Sequence, residues 1–136
     1  KRLAMIHANL NSLPGEHPAR GFWLHMARKY GYSPAGGAGA PARLAQIVRS
    51  FARRIERQYD AGQTYLIGDR LSALDIYWSA FVAMLAPMDE DRCPMASGFR
   101  TAYSNPDREV QQALAPLLLR HRDFIYERFL ELPVRF

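Results

Sequence analysis

The sequence holds a single cysteine, Cys93, which excludes an internal disulfide and fits a reducing compartment, with the cytoplasm as the expected location. It also lacks any run of about 20 apolar residues, the length a membrane-spanning helix needs. Its longest nearly uncharged run, from Ala73 to Pro87, still contains Asp75 and reads as a buried helix. There is no basic-then-apolar leader with a small-residue cleavage site. Lys1-Arg2-Leu3-Ala4-Met5-Ile6 instead reads as helix interior, so these residues are expected to belong to a longer chain. No internal repeat and no βαβ pattern are visible.

What is present fits one soluble, all-helical domain. At 136 residues a chain can bury roughly two-thirds of the surface its unfolded form exposes. Hydrophobic residues make up 49% and charged residues 23%, which argues against wholesale disorder. The net charge of +5 raises the question of nucleic acid, because clustered arginines can displace counterions from phosphates.

The apolar spacing predicts a series of helices. Leu3, Ile6, Leu10 and Leu13 mark a first helix stopped by Pro14-Gly15, and Phe22, Trp23, Met26 and Tyr30 mark a second over 19–30, closed by Gly31. Residues 31–41 have the composition of a loop; no Gly-Lys-Ser/Thr follows them and no strand precedes them, so they do not form a phosphate-binding loop. From Pro41 to Ala61, the stripe Leu44, Val48, Phe51, Ile55 and Tyr59 predicts an amphipathic helix, with Arg43, Arg49, Arg53, Arg54 and Arg57 around it. Without interleaved aromatics for bases to stack on, this arginine face reads as solvated rather than as a nucleic-acid surface. After an irregular stretch over 88–104, Asn105-Pro106 predicts the cap and first turn of a short helix that Pro116 breaks, and Leu118, His121, Ile125, Phe129 and Leu132 line the last helix.

The strongest local signal opens the run over 73–86. Ser72 stands at an N-cap and Asp75 at N3, so the serine oxygen can accept from the Asp75 N–H while the carboxylate reaches back to the Ser72 N–H. Leu71 and Ile76 occupy the positions of a hydrophobic staple. The helix that follows is apolar nearly all round and is expected to be surrounded by other helices.

Gly68, Leu71, Ser72, Asp75 and Ile76, approached through Tyr65-Leu66-Ile67, resemble the pattern that marks the central helix of the C-terminal domain of glutathione transferases. Leu74 stands where that family usually has Ala. The resemblance implies a helical bundle around a buried central helix, joined in the whole protein to an N-terminal thioredoxin-like domain that binds glutathione as cosubstrate. The helical domain would supply one wall of a pocket for an apolar electrophile and part of a homodimer interface. Candidate pocket residues are Met5, Ala8 and Asn9 on the first helix, together with Phe136. A noncatalytic interaction module of the same fold is the alternative, and nucleic-acid binding through the Arg43–Arg57 helix is a third reading.

The remaining polar residues suggest no chemistry of their own. Cys93 has no neighbouring His or Lys to activate it, and His7, His17, His25 and His121 show no metal-ligand spacing, so no metal is expected. His121-Arg122-Asp123 lacks the context of a kinase loop. Ser72 and Asp75 could form a catalytic pair, but capping already occupies their oxygens.

Overall fold

The computed structural model describes residues 1–104 and 107–134, with only the backbone at positions 97 and 102. Among the described residues every regular element is a helix, in keeping with the all-α class expected. The elements are α1 (Arg2–Ser12), α2 (Arg20–Lys29), α3 (Pro34–Ala38), α4 (Ala40–Asp60), α5 (Ala73–Val82), α6 (Ser97–Tyr103), α7 (Arg108–Ala113) and α8 (Pro116–Phe129). The chain divides into two compact units, Lys1–Gln46 and Ile47–Phe136, with α4 continuing from the first into the second.

In the first unit α1 packs against both α2 and α3. The Arg20 guanidinium donates to the Leu10 and Leu13 carbonyls at 2.9 Å each, satisfying acceptors that the end of α1 leaves open. The stretch expected to be loop holds α3. Ser33 caps it by accepting from the Gly36 N–H at 3.1 Å, and Pro34 occupies its first turn. Gly37 lets α3 approach α1 closely, since a Cβ there would lie 2.5 Å from the Tyr32 ring and 2.7 Å from His7 Cβ. Glycine's poor helix propensity hid this short element, and tertiary packing outweighs it.

The second unit is centred on α5 and α8. Val48, Ala52 and Ile55 from α4, Leu66, Val82, Val110, Leu118 and Ile125 are all buried, and Phe51 stacks on Trp78 with ring centroids 4.7 Å apart. Gly62, at φ +72°, ends α4 in the left-handed conformation that glycine adopts without strain. Met88, Cys93 and Tyr126 form a smaller buried cluster beside Met95, Leu130, Leu132 and Val134.

Further expectations need correction. The central helix is not surrounded: Tyr77 is 63% and Phe81 61% exposed, and with Ala73 and Ala80 they form an uncharged outer face. It also ends at Val82, and residues 83–86 continue only as turns. The stretch over 88–104, read as irregular, contains α6. Asn105-Pro106 lies outside the described residues, and the cap of α7 is Asp107, whose Oδ1 accepts from the Val110 N–H at 3.0 Å.

Candidate functional site

The start of α5 is built as the residues require, with additions that the local pattern does not contain. Ser72 has extended backbone angles and α5 begins at the next residue. Its N–H donates to Asp75 Oδ2 at 2.9 Å, which is the acid's half of the capping box. The serine's half is looser. Its oxygen faces the Asp75 N–H, but that N–H makes its bond at 3.1 Å with the Ser72 carbonyl, and the hydroxyl proton goes to Asp75 Oδ2 at 2.5 Å. Leu71 and Ile76 are both half-buried.

The other carboxylate oxygen ties the cap to distant parts of the unit. Asp75 Oδ1 accepts from the Leu66 N–H at 2.8 Å and from His121 Nε2, on α8, at 2.9 Å. Asp75 and His121 are both completely buried. One carboxylate therefore gathers four donors from the approach loop, the cap and a second helix, and fixes the crossing of α5 with α8.

The protonation states follow from these partners. Burial pushes the Asp75 carboxyl up, but the bonds from Leu66 and Ser72, with the nearby His121, outweigh it and hold the group below its usual value. Burial is also the largest influence on His121 and pulls the imidazole down; Asp75 opposes this without reversing it. The resting pair is thus a carboxylate and a neutral ring. Because a carboxylate only accepts, the ring proton sits on Nε2. The Thr64 backbone lies close enough to favour a charged ring, yet Nδ1 makes no hydrogen bond in the resting arrangement.

A serine, an acid and a histidine in contact invite comparison with nucleophilic catalysis, and the geometry argues against it. In a working triad the histidine must reach the serine hydroxyl. Here both Ser72 and His121 donate to the carboxylate, on different oxygens, and the ring is sealed from solvent. The constellation is structural.

The other candidate residues are dispersed. Met5 and Asn9 are half-buried and Ala8 is exposed, one turn apart on one side of α1; the Asn9 amide is already engaged, donating to the Met5 carbonyl at 2.8 Å. Phe136 lies outside the described residues. Cys93 is buried, and that burial raises its thiol pKa, the condition of an unreactive cysteine. Beside it, Arg100 donates to the Met88 and Cys93 carbonyls at 3.1 and 2.7 Å and pairs with Glu90. Arg122 bonds the Ala86 carbonyl and Asp123. No group of three His, Cys, Asp or Glu side chains that could hold a metal occurs among the described residues.

His121 is the residue that sequence reasoning undervalued. Its position on the inner stripe of α8, between Leu118 and Ile125, was the available signal: an imidazole on a buried face needs a partner, and a buried carboxylate was already on offer.

Comparison with protein-family models, with curated proteins and with solved structures finds no match.

Proposed function

We propose that this chain is the helical domain of a glutathione transferase-like protein, forming one wall of a pocket for an apolar electrophile and part of a homodimer interface. The reading is carried by the start of α5, where half-buried Leu71 and Ile76 at the staple positions, a capping acid and an apolar helix coincide and the acid is fully buried. In such a protein the thiol comes from glutathione, bound mainly by a thioredoxin-like domain. The helical domain contributes by holding the electrophile near it. Met5, Ala8 and Asn9 are the pocket residues of this reading.

The test is calorimetric titration of glutathione and of S-hexylglutathione into this chain and into the complete gene product. Binding by the complete product with none by the chain alone supports the reading. Absence of binding by both overturns it.

A second reading, a noncatalytic module that mediates assembly, is favoured by the outer face of α5. Ala73, Tyr77, Ala80 and Phe81 place two exposed aromatics between small residues on a face with no charge, a composition suited to helix–helix contact. Sedimentation of the chain and of a Tyr77→Lys/Phe81→Lys variant separates the readings: self-association lost in the variant, with no glutathione binding by the complete product, favours assembly alone.

A further inference from the structure

The excess positive charge is not spread along the chain. The first unit holds Lys1, Arg2, Arg20, Arg28, Lys29 and Arg43 against Glu16 alone, which is the entire net charge of +5. The second unit has twelve basic and twelve acidic residues. Its Arg49, Arg92, Arg100 and Arg122 each pair with a carboxylate. The arginines of α4 beyond Gln46 therefore sit in an electrically balanced unit, and the unbalanced surface is elsewhere.

Part of that surface is gathered at one end of the α1–α2 pair. Arg2 Nη1 donates to the Tyr30 hydroxyl at 2.9 Å, and its guanidinium lies 4.9 Å from the ring centroid. Lys29 Nζ lies 5.6 Å from the same centroid. The two cations are thus within roughly 10 Å of each other, about one screening length at ordinary salt. Arg28 is the exposed neighbour of Lys29. No carboxylate pairs with Arg2, Arg28 or Lys29 among the described residues. Glu16 lies between α1 and α2, at the far end of α1, a helix of 11 residues and so about 16 Å long.

We propose that this face of the α1–α2 pair binds the phosphate backbone of a nucleic acid through Arg2, Arg28 and Lys29. The aromatic that the α4 face lacks is present here. Phe22 is 56% exposed, and at seven residues from Lys29 it lies on the same side of α2, about 10 Å along its axis, so a strand held at Arg28 and Lys29 and running along the helix can stack a base on its ring. An anionic bilayer is the poorer fit. The exposed apolar residues of α2 are Phe22 and Leu24, which point about 160° apart, with His25, Arg28 and Lys29 between them. No continuous apolar face is left to insert.

The test is fluorescence anisotropy of a labelled 20-nucleotide single strand titrated with the full chain at several NaCl concentrations. Three phosphate contacts give a slope of log K against log salt of about −2. Replacing both Arg28→Gln and Lys29→Gln is expected to flatten the slope to about −0.7 and to weaken binding about tenfold at low salt. Arg28→Lys/Lys29→Arg is expected to preserve both, as is Arg53→Gln/Arg54→Gln on α4. Circular dichroism confirms helicity; should the glutamine variant misfold, an Arg2→Gln single variant replaces it, with a slope reduced by about 0.7. The proposal is overturned by no binding at 50 mM NaCl, by an unchanged slope in the folded variant, by equal loss in the α4 variant, or by binding only to phosphatidylserine vesicles.

Discussion

Asp75 is the residue on which the second unit turns, and its weight exceeds that of an ordinary cap. Losing an N-cap interaction costs about 1 kcal/mol. Asp75→Ala would also leave the Leu66 N–H, the Ser72 N–H and His121 Nε2 without their acceptor, and each buried orphan costs about 1–3 kcal/mol. A destabilisation of about 3–5 kcal/mol is expected in urea denaturation, and a loss near 1 kcal/mol would reduce Asp75 to a cap. The Ser72–Asp75 contact was legible in the sequence because a capping box is a four-residue pattern. The bonds to Leu66 and His121 span 9 and 46 positions, and no local rule reaches that far.

At the scale of elements, the bond between Asp75 and His121 couples the start of α5 to the middle of α8. A double-mutant cycle on Asp75→Asn and His121→Phe is expected to return a coupling of about 1–3 kcal/mol, and a value near zero would mean that the helices hold their crossing by apolar packing alone. In the first unit, the added methyl of Gly37→Ala meets Tyr32 and His7 at under 3 Å. A loss of about 1–3 kcal/mol is expected, with neutrality on the same urea curve as the contrary result. The start of α5 and the break at Pro116 could be read from capping and proline chemistry. The end of α5 could not: residues 83–86 are apolar and suited to helix, yet the chain turns there. Nor could the exposure of Tyr77 and Phe81, since periodicity says which residues share a face and not whether anything covers it.

For the molecule as a whole, the buried pair sets how stability depends on acidity. Folding makes His121 harder to protonate than its usual 6.5, so below about 6.5 the unfolded chain binds the extra proton more readily and stability falls until the folded value is passed. Asp75, held below its usual 3.8, adds a second loss of the same sign: its contribution is full above that value and disappears as pH falls through the folded pKa. Melting temperature is therefore expected to fall from about pH 6.5 downward and again below about pH 4, with the first step absent in His121→Phe. The most direct measurement is a nitrogen-detected NMR titration of the His121 ring. The expected result is a ring that carries its single proton on Nε2 and titrates below 6.5, and that titrates lower still in Asp75→Asn, because burial depresses it and the carboxylate opposes that. A ring that titrates near 6.5 like an exposed histidine, or one unaffected by the substitution, would contradict a sealed bond between α5 and α8.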